Sequence, residues 1–278
     1  MVNMSLSPIK MLADRSLQDV DAIAQSLEEH LSDVVEFLPP DSDKATIAIA
    51  IGGDGTLLKH SRVLAEQGIA LVGVNSGRLG FLARFDVGSL IEHRHTVFTK
   101  SPKVLRVMLL EIQVDNNAPI TVTNEAMIAA GAPFRLVELG LSIDGVPAPT
   151  LRGDGVIVAT PTGSTAHNAS VGGPIVDPSS NAFILTPIAA HSLAVRPIVL
   201  NGKAKITIEI LQANEGTSLV IDGQVQCIMQ NGMKMSVQQS KHFLSIVRNP
   251  ACSYWNTLVD KLHWAAHPNL QEKSPFND

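Results

Sequence analysis

Residues 45–56 read ATIAIAIGGDGT and carry the strongest local indication of the fold of the chain. The apolar run 45–51 does not alternate with polar side chains, which is typical of a strand buried on both faces of a parallel sheet. Residues 57–67 follow with apolar side chains at helical spacing, Gly68 can end that helix, and residues 69–74 form a second apolar run. The order strand, glycine-rich turn, helix and strand predicts a βαβ unit.

The α/β pattern extends toward the N-terminus. Apolar residues recur at helical spacing over residues 16–31, where Ser16 is the expected N-cap, and residues 34–38 have the composition of a short strand. Another short strand is expected around residues 8–12. Together these elements predict a Rossmann-like, doubly wound α/β domain over residues 1–99.

The pattern changes after residue 100. Short β-prone runs are separated by Gly, Pro, Asn and Asp, which is typical of an antiparallel β-sandwich. We therefore expect a β-sandwich domain over residues 100–249. The runs span residues 104–114, 120–122, 136–143, 155–159, 204–211 and 219–221.

The C-terminal segment 250–278 is expected to return to the α/β domain and complete it. Residues 253–263 show helical spacing again. Four side chains of this helix are expected to face the core: Trp255, Leu258, Val259 and Leu262.

Composition excludes several classes of protein. A chain with 45% hydrophobic and 17% charged residues is not disordered, and its net charge of -5 argues against nucleic-acid binding. No run approaches the ~18 consecutive apolar residues of a membrane helix, so no membrane association is expected. The two cysteines fit a reducing compartment, and we expect a cytoplasmic protein.

The loop at residues 52–56 has an aspartate at its centre. Its glycines allow a phosphate to approach the backbone, and the free N–H groups of the helix that follows favour anions. The loop is neither a P-loop nor the dinucleotide-binding fingerprint. A carboxylate repels phosphate, so Asp54 suits a group that takes a proton from a hydroxyl or holds a metal. The alternative is an aspartate that only caps the helix.

Two further segments are candidates for a ligand crevice. Residues 75–81, NSGRLGF, follow the next strand of the same sheet, and ligands bind outside the carboxyl ends of parallel strands. Phe81 could line the crevice or belong to the core. Asn124 and Glu125 could bind sugar hydroxyls, although a turn-forming Asn beside a solvated Glu is the simpler interpretation.

The densest candidate segment is 152–174, RGDGVIVATPTGSTAHNASVGGP. Its five glycines and small hydroxyl residues indicate a close-fitting pocket for a polar ligand rather than a solvated loop. The nine histidines and two cysteines show no metal-ligand spacing, so no tightly held transition metal is expected.

These segments together resemble the bacterial NAD kinases. GGDGT alone is shared with lipid kinases of the diacylglycerol and sphingosine type, but the ordered set is more specific. The matching segments are 52–56 (GGDGT), 75–82 (NSGRLGFL), 123–126 (TNEA), 153–155 (GDG), 160–166 (TPTGSTA), 186–193 (TPIAAHSL) with 196–197 (RP), and 221–224 (IDGQ).

The resemblance implies an α/β domain followed by a β-sandwich, and transfer of a phosphoryl group from ATP or polyphosphate to the 2′-hydroxyl of the adenosine ribose of NAD, giving NADP. It implies that Asp54 is the proton acceptor, that Mg²⁺ or Mn²⁺ accompanies the donor, and that the chain forms a homo-oligomer, a dimer or tetramer. The implied NAD-binding residues are Asp54, Gly55, Lys59, Phe81, Asn124, Glu125, Arg135, Arg152, Asp154, Thr162, Thr165, Ala166, His167, Asn168, Ala169, Ser170, Ala189 and Gln224.

The chain departs from this family at three places. His167 stands where the family usually has Tyr, the loop after the first strand lacks the expected glycine or Asn-Pro, and the tail after Trp264 matches nothing in the pattern. Two other functions stay open at this point. A lipid kinase would need an apolar channel for acyl chains, and a catalytically silent NAD(P)-binding sensor would need no working Asp54.

Overall fold

The computed structural model describes residues 6–77, 79–132 and 136–265. Its N-terminal part is a parallel sheet in the strand order β2-β1-β3-β4. The strands are β1 (Ser7–Leu12), β2 (Val35–Leu38), β3 (Ile47–Ile51) and β4 (Ala70–Val74), and the helices are α1 (Gln18–Leu31), α2 (Asp54–Gln67), α3 (Val87–Glu92) and α4 (Arg94–Val97).

The βαβ unit predicted from residues 45–74 is present. Every side chain of β3 and β4 is buried, as expected for strands covered on both faces. Gly68 ends α2 in the left-handed conformation, with φ of 70°. The predicted N-cap of α1 was wrong, because Leu17 occupies that position and the Ser16 hydroxyl donates instead to Asp14.

The C-terminal part contains a separate six-stranded antiparallel sheet in the order β12-β11-β10-β7-β14-β15. Its strands are β7 (Glu125–Ala129), β10 (Gly155–Ala159), β11 (Ala182–Ile188), β12 (Ile198–Asn201), β14 (Ser218–Ile221) and β15 (Gln224–Ile228). The remaining strands are β5 (Val104–Val114), β6 (Ile120–Val122), β8 (Val137–Ile143), β9 (Val146–Gly153), β13 (Ile206–Gln212) and β16 (Lys234–Val247). An α/β part followed by an antiparallel β part is the predicted fold class.

Strand β16 joins the two parts of the chain. It pairs in parallel with β4 and antiparallel with β5 and β13, so the parallel sheet continues into the C-terminal part as one sheet of ten strands. The β8 and β13 strands of this sheet and the facing antiparallel sheet enclose a common aliphatic core. Strand β16 therefore lies between β4 and β5, because Ile246 pairs with Leu71 on one side and with Leu105 on the other.

Helix α6 (Tyr254–Leu262) does not bury the face predicted for it. Leu258 is buried as expected, but Trp255 is 57% exposed, and Val259 and Leu262 are exposed as well. The reason is that this short helix packs only through Thr257 and Leu258, so its other apolar side chains have no layer above them.

Two smaller helical segments belong to the dense segment 152–174. They are a 3₁₀ turn (Gly163–Thr165) and α5 (His167–Ser170). No helix in the described ranges is both long and apolar enough to cross a membrane. The expected cytoplasmic location stays a prediction.

Candidate active site

The two glycine-rich loops after β3 and β4 lie side by side. The Gly52 N–H donates to the Val74 carbonyl at 2.9 Å, and the Asn75 N–H donates to the Phe85 carbonyl at 2.8 Å. Both loops therefore occupy the carboxyl edge of the parallel sheet, where open α/β sheets bind ligands.

The Asp54 carboxylate connects these loops. Oδ2 accepts the backbone N–H of Phe81 at 2.8 Å, and Oδ1 accepts those of Leu82 at 3.0 Å and Ala83 at 2.9 Å. A Cβ atom at Gly80 would lie 2.2 Å from Oδ1, so this position must be glycine for the loop to close over the carboxylate. Asp54 thus organises the neighbouring loop.

The simple helix-cap interpretation of Asp54 does not describe this geometry. Gly53 is the N-cap of α2, and Asp54 is the first residue of the helix. Its side chain bonds to a loop 27 to 29 residues away in sequence.

A second carboxylate, Asp222, holds the next candidate segment. Oδ1 accepts the N–H of Asn124 at 2.7 Å and that of Glu125 at 3.3 Å, and Oδ2 accepts the N–H of Thr123 at 3.0 Å. Burial raises the pKa of Asp222, against the opposing effect of these hydrogen bonds. The segment is also joined to α2, because the hydroxyls of Ser61 and Thr123 lie 2.7 Å apart.

Glu125 is a buried carboxyl group with an unused acceptor. Only 8% of the residue is exposed, and Oε2 has no hydrogen-bond partner among the described residues. Burial, and then the negative charge of Asp222, raise the pKa of Glu125 to about 7. A buried, unpaired acceptor of this kind is costly unless a ligand donates to it.

The dense segment packs against Asn124. The Thr160 hydroxyl donates to the Thr123 carbonyl at 2.6 Å and accepts the Gly163 N–H at 3.0 Å. A Cβ atom at Gly163 would lie 2.1 Å from the Asn124 carbonyl oxygen. This close approach explains part of the glycine content of the segment.

The predicted residues in and around this segment differ in accessibility. His167 and Ser170 are exposed, whereas the Thr162 hydroxyl is buried without a partner in the described part of the chain. Asn168 is fully buried, and its amide bonds to the Ser164 and Pro174 carbonyls and to the Thr186 hydroxyl. Its side chain therefore holds the segment together. The half-buried members of the predicted set are Asp54, Phe81, Asn124, Thr165, Ala166 and Ala169.

Other predicted residues form two further groups. Gly55, Lys59 and Gln224 line one cavity of about 440 Å³ beside Asp222. Arg152, Asp154 and Ala189 lie together where the Asp154 N–H donates to the Ile188 carbonyl at 2.9 Å, but this is the far end of β10. The two ends of β10, where Gly155 pairs with Ala129 and Ala159 pairs with Glu125, are about 13 Å apart along the strand. Arg135 lies outside the described residues.

Sequence analysis assigned no role to Asp222, Gly80 or Thr160, although all three shape the site. Asp222 acts on residues 97 to 99 positions away, and only its place in an Asp-Gly pair, like that of Asp54, could have indicated it. Across the described ranges, no three His, Cys, Asp or Glu side chains come together as a metal cage.

Comparison with known proteins gives consistent matches. The ATP-NAD kinase N-terminal domain matches residues 1–100, and the ATP-NAD kinase C-terminal domain matches residues 123–249. An NAD kinase from Rhodopirellula baltica is 33% identical over 271 residues, covering 96% of this chain and 87% of that protein. An NAD kinase from Francisella tularensis is 37% identical over 231 residues, covering 80% and 78%.

Two solved structures have the same fold. Yeast NADH kinase complexed with NADH superposes with a TM-score of 0.82 at 20% identity, covering 97% of this chain and 91% of the yeast chain. An NAD kinase from Archaeoglobus fulgidus in complex with ATP superposes with a TM-score of 0.70 at 25% identity, covering 88% and 94%.

Proposed function

This chain belongs to the NAD kinase family and is an NAD kinase, and we propose that Asp54 is the group that takes the proton from the reacting hydroxyl of NAD. The reaction transfers a phosphoryl group to the 2′-hydroxyl of the adenosine ribose and gives NADP. Phosphoryl transfer needs positioning and charge stabilisation more than covalent help from the protein. Neither a lipid kinase nor a silent sensor is supported by the comparisons.

The proposal rests on one observation: the Asp54 carboxylate has one hydrogen-bond acceptor position that no described residue uses. An ionised carboxylate offers about four lone-pair positions. Two on Oδ1 and one on Oδ2 are used by backbone N–H groups. One position on Oδ2 is left, and Asp54 is only half-buried, so a substrate hydroxyl can reach a base whose orientation is fixed.

We propose that Asn124 and Glu125 bind the sugar hydroxyls of NAD. Their backbone is fixed by Asp222, and the unpartnered Oε2 of Glu125 can accept a ribose hydroxyl. Such a bond removes the cost of leaving that oxygen unsatisfied. The proposal extends to Thr162, whose buried hydroxyl also lacks a partner among the described residues.

We propose ATP as the donor, bound at the carboxyl edge of the parallel sheet, with polyphosphate as the alternative. The Archaeoglobus fulgidus relative was crystallised with ATP. Mg²⁺ binds together with the phosphates of ATP and needs only one or two protein carboxylates as ligands. A site that does not bring three or more carboxylates together can therefore hold it. Asp14, in the loop after β1, is the carboxylate that would hold the ion, since the remaining acceptor position of Asp54 is assigned to the substrate hydroxyl, and Lys59 adds positive charge. When bound, the ion would neutralise charge on the transferred group.

We propose that the chain forms a homo-oligomer through the outer edge of the antiparallel sheet. Strand β12 lies at that edge and exposes Ile198 and Val199, and the preceding loop carries Leu193, which is 90% exposed. Exposed apolar edge strands favour pairing with another chain. Light scattering of the purified protein measures the state directly, and a monomer at micromolar concentration would contradict the proposal.

The division into residues 1–99 with 250–278 and residues 100–249 also stays a proposal. The ring contact of Phe81 with Tyr254, at 6.1 Å between centroids, supports the return of the C-terminal segment to the α/β part. Residues 266–278 lie outside the described residues. Limited proteolysis that releases 100–249 as a stable fragment would support the division.

The test of the reaction uses purified protein, NAD, ATP and Mg²⁺. A coupled dehydrogenase specific for NADP measures the product, and polyphosphate replaces ATP in a parallel assay. We expect NADP to form with ATP at a rate that depends on Asp54. A protein that binds NAD but forms no NADP with either donor would contradict the assignment.

A further inference from the structure

A second cavity, of about 580 Å³, lies beside the start of helix α6 and outside the groups proposed for catalysis. Its chemistry comes from three cationic side chains and two aromatic rings. We call it the basic cavity and define it by Arg84, Lys103, Arg248, Tyr254 and Trp255.

The basic cavity carries an excess of positive charge. Among the described residues, no carboxylate lies within ion-pair distance of its three cations. Asp177 is the one acid in the lining, and its carboxylate is bound by the N–H and hydroxyl of Ser179. The charges of Arg248 and Asp177 interact, so three cations face one acid, and a concave surface with a net positive charge attracts anions.

Among the three cations of the basic cavity, Arg84 is half-buried, whereas Lys103 and Arg248 are exposed. The Nε of Arg84 donates to the Phe81 carbonyl at 3.0 Å. Burial lowers the pKa of the Arg84 guanidinium. The charge of Arg248 lowers it further, whereas Cys252, Tyr254 and Asp54 act in the opposite direction. An anion between the two guanidiniums would relieve this repulsion, and guanidinium groups bind phosphate oxygens in a bidentate manner.

The aromatic wall supplies a stacking surface. Trp255 is 57% exposed, and its ring meets Tyr254 edge-on with 5.6 Å between centroids. A tryptophan this exposed buries little apolar area, and its face can stack on a nucleobase. Aromatic rings next to a group of cations match the base and the phosphate of a nucleotide.

We propose that the basic cavity binds a nucleotide with a terminal phosphate group, at a site separate from the one that binds NAD for phosphorylation. Arg248 and Lys103 hold the phosphate, and Trp255 stacks on the base. The volume suits the proposal, since small-molecule sites span ~300–1,000 Å³. Tyr254 joins the cavity to the Phe81 loop through their ring contact, so an occupant there can influence the active site.

The chain offers a direct signal for this binding. It has two tryptophans, Trp255 and Trp264, so Trp264→Phe leaves Trp255 as the only indole. Titrating this variant with AMP should quench its fluorescence. Adenosine should bind at least about tenfold more weakly, because it lacks the group that makes charge-assisted hydrogen bonds. Inorganic phosphate should compete with AMP.

Substitutions locate the site. In the Trp264→Phe background, Arg248→Gln and Lys103→Gln should each raise the Kd for AMP, about tenfold for the arginine. The control Lys241→Gln removes an exposed cation outside the cavity and should leave the Kd unchanged. Circular dichroism confirms that each variant is folded.

Three results would overturn the proposal. Equal affinity for AMP and adenosine would mean that the chain does not contact the phosphate. Unchanged affinity for AMP in both cavity variants would mean that AMP does not bind in the basic cavity. Loss of AMP binding in Asn124→Ala, with Arg248→Gln unaffected, would place AMP in the NAD pocket. None of these readouts uses kinase turnover, so failure here is distinguishable from failure of the proposed catalytic roles.

Discussion

Replacing Asp54 by asparagine changes one atom and has two separable effects. An asparagine oxygen can keep the bonds from Leu82 and Ala83, but its NH₂ group then faces the N–H of Phe81. One charge-assisted bond is lost and one backbone donor is left unpaired. We expect the free energy of unfolding to fall by about 1–3 kcal/mol.

The effect on catalysis is larger if Asp54 is the base. Loss of a general base costs ~10²–10⁴-fold in rate, which corresponds to ~2.7–5.4 kcal/mol of activation free energy. We expect kcat to fall in this range at saturating NAD and ATP. The KM for NAD should change little, because Asn124 and Glu125 are held by Asp222.

Asp222→Asn is the matched control. Asp222 also accepts three backbone N–H groups, two on one oxygen and one on the other, so its asparagine variant should lose a similar amount of stability. It should raise the KM for NAD and largely spare kcat. The assay is initial NADP formation beside urea unfolding of each variant. Near-native kcat in Asp54→Asn, or an equal kcat loss in both variants, would refute the base role.

Three further predictions concern the NAD pocket. Asn124→Ala should weaken NAD binding in calorimetry by ~1–3 kcal/mol while ATP binding stays unchanged, and unchanged NAD affinity would contradict its placement. The pKa of Glu125 is raised from 4.5 to about 7, so the folded chain binds the extra proton, and the free energy of unfolding should fall as pH rises across this window. In urea unfolding, the Glu125→Gln variant should not show that fall. The affinity of the native chain for NAD should rise about fivefold as Glu125 ionises, because a charged hydrogen bond is stronger than a neutral one by ~1 kcal/mol. His167→Tyr places the ring that is usual in the family at this exposed position and should lower the KM for NAD, because the larger ring offers more stacking area, whereas an unchanged KM would mean that His167 does not contact NAD.

The α/β half of the fold could be predicted because its signals are local. Residues 45–74 carry an unbroken apolar run, a glycine turn, helical spacing and a glycine stop in the order that makes a βαβ unit. The face that α6 buries could not be predicted in this way. Its periodicity indicates an apolar stripe, but the strands and loops that cover only Leu258 are distant in sequence.

The residue types of the candidate site could be predicted from the sequence, but the long-range hydrogen bonds that connect its segments could not. Glycine and hydroxyl content predicted that the segments 52–56, 75–81 and 152–174 bind a ligand, and their role in binding stays a prediction. The raised pKa of Glu125 depends on burial and on a carboxylate 97 residues away, neither of which the sequence pattern contains. Long-range hydrogen bonds of this kind arise only when the sheets are assembled.

The structure gives a physical reason why a carboxylate can stand at the centre of a loop that we propose lies beside phosphates. Asp54 and Asp222 each belong to an Asp-Gly pair, and each accepts three consecutive backbone N–H groups from another segment. Those donors stabilise the negative charge locally, which lowers the repulsion that a bare carboxylate would exert on an anionic donor. Asp54 also remains in the first turn of α2, where the helix N-terminus favours negative charge. The same bonds that make the aspartate tolerable beside phosphate therefore fix the orientation that a general base requires.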